Sequence, residues 1–293
     1  MSSLTVERIG FGVTTQDLGR PGFSDMGLGA AGAADRGSAA LANRMVGNRP
    51  GAAVLEALLG SVSLRSDAHV VAAVTGAACP VEVERADGSL RGAAAYEVLL
   101  LGPGDTVHLG VPDTGLRSYV AVRGGFAVEP VLGSRSWDSL AQLGPPPLQT
   151  GDALPVGDEA DGWPVVDAVA PPHEPWRVEA VVLDVVPGPR DDWFTPDWRE
   201  TLTGQDHQVS SDSDRVGVRT TGAEPLVRAV THELPSEGVE TGSLQVPPDG
   251  FPVLFLADHP VTGGYPVVAV LTPASVDRAA QLRPGDTVRF RIV

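Results

Sequence analysis

Short apolar runs separated by glycine and proline are the feature that most constrains the fold of this chain. The sequence contains 35 glycines and 26 prolines, and they interrupt it at short intervals. Each run between them has the length of a β-strand and is bounded by turn residues. The clearest runs are HVVAAVTGA, EVLLLG, TVHLGV, RSYVAV, EAVVLDVV, FPVLFLA, YPVVAVL and TVRFRIV. The pattern predicts a mostly β protein built of barrels or sandwiches.

Helix is predicted at only two places. Residues 33–48, AADRGSAALANRMVGN, offer Asp35 as an N-cap and an apolar side formed by Leu41, Met45 and Val46. A second helix, SVDRAAQL, is predicted to be short. Strands therefore outnumber helices.

One segment of the chain returns near its end. LGPGDTVHLGV (101–111) recurs as LRPGDTVRFRI (282–292). Two shorter matches keep the same order along the chain: GRPG with DRVG, and VTGA with VTGG. Pro-Gly-Asp is a common turn, so one match would mean little. Three matches in the same order favour a duplicated unit of about a hundred residues or slightly more.

The repeat divides the chain into two similar β-rich domains. Residues 155–175, PVGDEADGWPVVDAVAPPHEP, are acidic and rich in proline, which is typical of a linker. We therefore predict a first domain with its connecting segment over 1–160 and a second domain over 176–293. A groove between two such domains is the expected place for a ligand.

Composition excludes several classes of function. All 21 basic residues are arginines, so this chain has no Walker A lysine and no lysine for a Schiff base. The net charge of -16 argues against a nucleic-acid partner. No apolar run reaches the ~18 residues of a membrane span, and the start of the sequence has no leader pattern. We expect a cytoplasmic protein without a membrane partner.

Metal and nucleophile motifs are also absent from the sequence. The histidines show no paired metal-ligand spacing, so no metal site is predicted; they stand at positions 69, 108, 173, 207, 232 and 259. The single cysteine, Cys79, lies among apolar residues and is interpreted as a buried hydrophobe rather than a nucleophile. There is no G-x-S-x-G elbow and no glycine-rich nucleotide loop before a long helix.

Polar residues in a glycine-rich loop form the first candidate site. Asp17 and Arg20, in QDLGRPG, stand three residues apart around a glycine. Arg20 can hold a carboxylate or phosphate bidentately, but residue types alone favour an ion pair between the two side chains. Glu56 stands alone in the apolar run GAAVLEALLG and is either a brace for a loop or a functional acid. Asn43 and Asn48 are interpreted as cap and turn residues.

The second cluster is PSEGVETGSLQVPPDGFPVLFLADHPVTGGYP, residues 235–266. Glu237 falls in a predicted tight turn. Gln245 and Asp258 flank the turn PPDG, so a hairpin across it can bring both side chains to one end. The TGGY segment allows a backbone to approach a ligand closely. Residue types do not favour either of two interpretations. The segment is a ligand site, or it is a structural hairpin whose polar side chains form hydrogen bonds with the loop backbone.

These blocks resemble the family of 5-oxoprolinase C subunits, also called allophanate hydrolase subunit 2 or the biotin-dependent carboxyltransferase-like family. The resemblance runs from about residue 5 to the last residue and is carried by QDLGRPG, AADRGSAALANRMVGN, LEALLG, VRGGFAVEPVLGSRS, GPRDD, DRVGVR, SEGVETGSLQVPPDGFPV and ADHPVTGGYPVVAV. It implies two tandem cyclophilin-like β-barrel domains with few short helices, in agreement with the internal repeat.

The resemblance implies one part of a complex rather than a complete enzyme. Relatives work with two further chains, an A subunit together with a smaller B subunit, to open 5-oxoproline to glutamate, with ATP as co-substrate and Mg2+ beside it. Other branches form the carboxyltransferase part of urea carboxylase, or antagonise a protein inhibitor of a histidine kinase without catalysis. Because the chain has no lysine, it carries no attached biotin, which argues against a self-contained carboxylase.

The residues and the resemblance together give a candidate site drawn from both polar clusters. Catalytic roles are predicted for Asp17, Glu237 and Asp258. Substrate binding is predicted for Gln16, Arg20, Gln245, Thr262, Gly263, Gly264 and Tyr265. The substrate expected there is a lactam or another amide.

Two segments depart from the family pattern. The family usually continues GSRST and then has a Gly-Gly-x-x-Gly-Arg segment, but this chain has GSRSWDSLAQLGPPPLQTGD. Trp137 thus replaces the threonine, and Pro145 to Pro147 interrupt the glycine segment and remove its arginine. Val261, where many members carry threonine, is a milder change. If this loop touches substrate or partner, specificity differs in this protein.

Overall fold

The computed structural model describes residues 2–171 and 179–293. Residues 172–178, which include His173 and the end of the predicted linker, lie outside the described residues. The chain divides into two compact units. The first comprises Met1–Arg20, Asp35–Asp138 and Gln142–Trp176, and the second comprises Pro21–Ala34, Ser139–Ala141 and Arg177–Val293. The domain limits at 160 and 176 that the sequence gives stay predictions.

The strands of the first unit form two antiparallel sheets. In chain order they are β1 (Ser3–Ile9), β2 (Val13–Gln16), β3 (Val54–Leu58), β4 (Val62–Ser66), β5 (Val70–Gly76), β6 (Pro80–Glu84), β7 (Leu90–Ala94), β8 (Val98–Leu101), β9 (Thr106–Leu109), β10 (Arg117–Val122) and β11 (Ala153–Pro155). The six-stranded sheet has the order β11-β1-β4-β9-β6-β7, and the five-stranded sheet has the order β2-β3-β10-β5-β8. Most paired strands are not consecutive in the chain, so the two sheets depend on longer connections as well as on tight turns such as the one between β6 and β7.

A single cluster of buried apolar side chains joins the two sheets of the first unit. Leu4 and Val6 of β1 contribute from the six-stranded sheet, and Val120 and Val122 of β10 contribute from the five-stranded sheet. In β6, buried and exposed residues alternate, which is the pattern of a strand with one face on the core. Strand β10 is buried at every position, as expected for the middle of its sheet.

Helices are few among the described residues. They are α1 (Arg36–Met45), α2 (Trp198–Thr203) and α3 (Pro273–Ala279), with 3-10 turns at Ser24–Met26 and Asp191–Trp193. Helix α1 confirms the helix predicted over 33–48: the Asp35 carboxylate accepts hydrogen bonds from the amide and the hydroxyl of Ser38, at 2.8 and 2.7 Å. Helix α3 overlaps the second predicted helix. Helix α2 is too short for its periodicity to be visible in the sequence.

Seven strands of the second unit close into a barrel, in the order β12-β19-β16-β17-β14-β13-β20. The strands of this unit are β12 (Val181–Pro187), β13 (His207–Val209), β14 (Gly217–Thr221), β15 (Glu237–Gly238), β16 (Ser243–Gln245), β17 (Val253–Phe255), β18 (Thr262–Gly263), β19 (Val267–Leu271) and β20 (Thr287–Ile292). Strand β12 closes the ring because it pairs antiparallel with β19 and parallel with β20. Strands β15 and β18 form a separate two-stranded ribbon.

The repeated Pro-Gly-Asp segments fold into matching turns. In the first copy, the Asp105 carboxylate accepts from the Gly102 amide at 2.7 Å; in the second, the Asp286 carboxylate accepts from the Arg283 amide at 2.8 Å. The glycine of each turn has a left-handed backbone, with φ of 86° in the first copy and 90° in the second. Each turn leads into a strand, β9 or β20. The sequence repeat therefore corresponds to a repeated structural element.

The fold class predicted from the sequence is confirmed: the chain is mostly β, with a closed barrel in the second unit. In the first unit the strands form two sheets around one shared core rather than one closed ring. Within residues 2–171 and 179–293, none of the helices has the length and hydropathy that crossing a bilayer requires.

Candidate functional site

Gln16 and Arg20 are buried side chains that hold one loop of the first unit. The Gln16 amide donates to the carbonyl of Trp137 at 3.1 Å. The Arg20 guanidinium, 2% exposed, donates to the carbonyl of Ser136 and, at 3.4 Å, to that of Val131. Gln16 Oε1 and Arg20 Nη1 find no hydrogen-bond partner among the described residues. Each side chain therefore supports the loop and keeps one buried polar atom unsatisfied.

The carboxylate of Asp17 accepts several hydrogen bonds that hold the same loop. Its Oδ1 accepts from the amide of Gly19 at 2.7 Å and from the hydroxyls of Ser134 and Ser136, each at 2.6 Å. Its Oδ2 accepts from the amide of Arg135 at 2.6 Å. Residue types favoured an ion pair with the neighbouring arginine, but the described contacts of the carboxylate are to these groups instead. The geometry supports a bracing role, and a catalytic role for Asp17 stays a prediction.

The Trp137 departure has a simple structural outcome. Its backbone carbonyl receives the Gln16 amide, and its backbone amide donates to the carbonyl of Thr15 at 3.1 Å. Since both bonds use main-chain atoms, any residue except proline can make them at this position. The replacement of threonine therefore leaves the loop anchored and changes only the side chain that it displays.

Glu56 has partners that assign it to the scaffold. It is 5% exposed, accepts from the Tyr119 hydroxyl at 2.8 Å and pairs with Arg117, with 3.4 Å between Oε1 and Nε. Burial, and then the Glu56 charge, raises the pKa of the Tyr119 hydroxyl well above its ordinary range. Of the two roles open to Glu56, these contacts support the brace.

Cys79 is a buried neutral thiol. The residue is 5% exposed, and burial raises the pKa of its thiol. A raised pKa disfavours the thiolate, which is the nucleophilic form. The interpretation of Cys79 as a buried hydrophobe is confirmed.

Asp258 lies in a buried network of the second unit. Its carboxylate accepts two hydrogen bonds from Arg215, at 2.9 and 3.1 Å, and two from the amide and hydroxyl of Ser139, at 2.9 and 2.7 Å. The Asp258 side chain is 0% exposed. A buried carboxylate with this many donors is held firmly in place. The network anchors residues 139–141, and a catalytic role for Asp258 stays a prediction.

The predicted hairpin across PPDG forms between β16 and β17, with Gln245 opposite Val253. The Gln245 amide donates to the backbone carbonyl of Tyr265 at 3.0 Å. A Cβ atom on Gly263 would lie 2.3 Å from Gln245 Nε2, so glycine is what lets the amide reach this position. The described contacts of Gln245 and Asp258 belong to different networks, because Asp258 bonds to Arg215 and Ser139.

The TGGY segment borders Gln245 on the surface of the second unit. Thr262 lies in β18 opposite Gly238 and is exposed. Tyr265 is 43% exposed, and the Arg228 guanidinium carbon lies 5.6 Å from the centre of its ring. Gly264 follows β18 and is half-buried. The predicted binding residues of this segment are thus contiguous and reachable from solvent.

Glu237 is paired with Arg190, which was not among the predicted site residues. Arg190 Nε donates to Glu237 Oε2 at 2.9 Å, and Arg190 Nη2 donates to Oε1, which is a bidentate arrangement. The hydrogen bonds and charge of Arg190 lower the pKa of the Glu237 carboxyl. Glu237 also lies in β15, opposite Gly263 of β18. The pair is therefore continuous with the Gln245 and TGGY surface.

Sequence reasoning missed Arg190 and Arg228. Arg190 stands in the block GPRDD, which carried the resemblance only, and its partner Glu237 is 47 residues further along the chain. Arg228 donates to the carbonyl of Val246 at 2.5 Å, and its Nε is buried without a hydrogen-bond partner among the described residues. The absence of lysine was the available signal, because it leaves arginine as the only side chain of this protein that is always positively charged.

The part of the chain that the structure describes brings no set of metal-ligating side chains together. No group of three or more His, Cys, Asp or Glu side chains within residues 2–171 and 179–293 is arranged to hold a metal ion. The buried His207 ring instead bonds the carbonyl of Leu202 at 2.9 Å and packs edge-on against Phe290.

Chemically, the surface of the second unit presents groups of the kind that contact small anionic ligands. Arg190, paired with Glu237, and Arg228 are cations, Tyr265 has an exposed ring, and Gln245 donates to its backbone carbonyl. The corresponding groups of the first unit, Gln16, Asp17 and Arg20, are committed mainly to their own loop.

Comparison with known proteins gives a consistent result. The family "Carboxyltransferase domain, subdomain A and B" matches residues 26–292. The C subunit of the 5-oxoprolinase of Escherichia coli is 33% identical over 293 residues, which cover 98% of this chain and 90% of that protein.

Solved structures extend the likeness. The crystal structure of TTHA0988 is 35% identical, with a TM-score of 0.85, and covers 99% of this chain. The crystal structure of the Kluyveromyces lactis urea amidolyase is 26% identical, with a TM-score of 0.90 over 99% of this chain. This chain spans 55% of the first of these two chains and 19% of the second.

Proposed function

Because this chain belongs to the carboxyltransferase domain family of subdomains A and B, we propose that it is the C subunit of an ATP-dependent 5-oxoprolinase. In this proposal it opens 5-oxoproline to glutamate in the cytoplasm, together with an A subunit, which is a separate chain, and a smaller B subunit. The observation that carries the proposal is the likeness to the Escherichia coli 5-oxoprolinase protein over nearly the whole length of both chains.

The chemistry explains why ATP is needed. A lactam without ring strain is a poor electrophile, since amide resonance protects its carbonyl carbon. Phosphorylation of the amide oxygen gives an activated imidate that water attacks more readily. This step needs cations around the transferred phosphate and hydrogen-bond donors at the lactam.

The described residues suit substrate recognition better than phosphate transfer. Arg190 and Arg228 can contact an anionic substrate, and the TGGY backbone can approach its ring. The chain has no lysine to cradle ATP phosphates. We therefore assign the larger share of ATP and Mg2+ binding to the partner subunits.

A second candidate function is that of a carboxyltransferase component that acts on urea or another amide. The observation that favours it is the fold likeness to the Kluyveromyces lactis urea amidolyase. In this case carboxybiotin comes from another chain, because this one has no lysine for attachment. Substrate choice separates the two candidates: 5-oxoproline carries a carboxylate, and urea does not.

The test is reconstitution. The chain is purified with the smaller B subunit, the A subunit is added, and ATP-dependent release of glutamate from 5-oxoproline is measured with each component omitted in turn. We expect activity only from the complete set. Turnover of urea with carboxybiotin, and none of 5-oxoproline, would favour the carboxyltransferase. Tight association without turnover of either substrate would point to a regulatory protein.

A further inference from the structure

The ion pair of Arg190 and Glu237 is placed where a dissolved ligand can reach it. The exposed fraction of the side chain is 35% for Arg190 and 34% for Glu237. Two nitrogens of the guanidinium fork are taken by the two carboxylate oxygens of Glu237. An arginine fork of this geometry binds any carboxylate in the same bidentate way. Glu237 therefore fills a carboxylate-binding position on Arg190 that is open to solvent.

The backbone fixes both partners of the pair. The Arg190 amide donates to the carbonyl of Val267 in β19 at 3.1 Å. Two residues earlier, a Cβ atom on Gly188 would lie 2.5 Å from that carbonyl oxygen, so this segment lies directly against β19. Glu237 is held by the pairing of β15 with β18. The backbone positions from which the two side chains extend are therefore fixed, so the guanidinium stays within reach of this place when Glu237 leaves it.

We propose that Glu237 is an internal stand-in for the carboxylate of the substrate, and that substrate binding replaces Glu237 on Arg190. This inference rests on the proposed function, because 5-oxoproline has a carboxylate beside its lactam ring. Arg190 then determines specificity for lactams that carry a carboxylate. No covalent bond changes in the exchange, and one carboxylate takes the place of another.

The exchange gives Glu237 a role that depends on the substrate. While it is paired, Arg190 lowers the pKa of its carboxyl, which makes Glu237 a weak proton acceptor. Release from Arg190 removes that cause and returns the pKa towards its ordinary value. Glu237 thus becomes a better proton acceptor only when a carboxylate ligand is bound beside it.

Calorimetric titration tests the exchange. The full chain, alone and together with its A and B subunits, is titrated with 5-oxoproline and with 2-pyrrolidinone, the same lactam without the carboxylate. The variants are Arg190→Met and Glu237→Gln. Asp206→Asn is the matched control, because Asp206 pairs with Arg289 in a similar bidentate arrangement on the same unit, with side chains 44% and 47% exposed.

We expect Arg190→Met to weaken 5-oxoproline binding by about tenfold to hundredfold, the usual range for a charge-assisted contact, and to leave 2-pyrrolidinone binding unchanged. Glu237→Gln should bind 5-oxoproline more tightly, because the competing carboxylate is gone. Asp206→Asn should match the wild type for both ligands. If Arg190→Met does not fold, Glu237→Gln carries the test alone, since a gain in affinity cannot come from misfolding.

The outcomes separate this inference from the proposed function. Wild-type affinity for 5-oxoproline in Arg190→Met, or weakened binding in Glu237→Gln, would overturn the exchange and leave the proposed function standing. Failure of the wild type to bind 5-oxoproline, both alone and with the A and B subunits together, would remove the proposed function and the substrate assigned to Arg190.

Discussion

At the residue scale, Arg20 is a predicted binding residue whose side chain supports a loop of the first unit. It is among the largest fully buried side chains of the described residues, and its guanidinium donates to the carbonyls of Ser136 and Val131. We expect Arg20→Ala to lower the free energy of unfolding by about 1–3 kcal/mol, because truncation leaves buried carbonyls unsatisfied. Chemical denaturation measures this.

Arg289→Ala is the control for that measurement, since Arg289 makes an exposed ion pair whose loss should change stability much less. Equal stability of Arg20→Ala and the wild type would show that Arg20 does not brace the loop. In the reconstituted complex, loss of turnover beyond the loss of folded protein would assign Arg20 a contact with the substrate as well.

His207 predicts a pH dependence of stability. Burial lowers the pKa of its imidazole from the ordinary value of 6.5. As the pH falls below that value, the unfolded chain takes up a proton that the folded chain does not. The contribution of His207 to stability is therefore lost progressively from about pH 6.5 down to the folded-state pKa.

His207→Gln should reduce this effect, because the amide of glutamine can still donate to the Leu202 carbonyl but does not titrate. The measurement is the free energy of unfolding at pH 7 and pH 5 for both proteins. We expect a smaller decrease in the variant than in the wild type. The same decrease in both would mean that other groups account for the acid sensitivity.

At the scale of elements, the contact between β12 and β19 depends on Gly188. A Cβ atom there would lie 2.5 Å from the Val267 carbonyl oxygen and 2.8 Å from the Ala269 amide nitrogen, and neither backbone atom can move freely. We expect Gly188→Ala to destabilise the chain by about 1–3 kcal/mol through overpacking. Thermal and chemical denaturation measure the loss.

Gly238→Ala is the matched control for Gly188→Ala, because the described structure has no atom within 4 Å of a Cβ placed there. It should leave stability nearly unchanged. If the two variants are equally stable, then the approach of the Gly188 segment to β19 is not a constraint on the barrel.

At the scale of the whole molecule, we predict a lasting complex with a smaller partner chain. In the proposed function the chain acts together with an A subunit and a smaller B subunit, and this chain itself has no lysine to contact ATP phosphates. The shared surface should be about 2,000 Å² or more if the pair is obligate. Gel filtration of the two co-expressed chains should show co-elution at micromolar concentration. Separate elution of the two would contradict a permanent complex, whatever the isolated chain does in an activity assay.

The sequence by itself determined the features that depend on neighbouring residues. Strand-length apolar runs between turn residues predicted the mostly β class, and Asp35 predicted the start of α1. The repeated Pro-Gly-Asp segment, a common turn, predicted a duplicated unit, and its two copies fold into matching turns. Each of these is fixed locally, by the period of a strand, by a cap within one turn of a helix, or by a left-handed glycine.

Only the tertiary structure decided which distant side chains meet. Glu237 pairs with Arg190, and Asp258 pairs with Arg215. Asp17 accepts hydrogen bonds from amides and hydroxyls of its loop rather than pairing with the nearby Arg20. No local rule predicts such pairs, because barrel closure and loop packing set the distance between residues far apart in sequence. The polar groups were therefore visible in the sequence, whereas their partners were not.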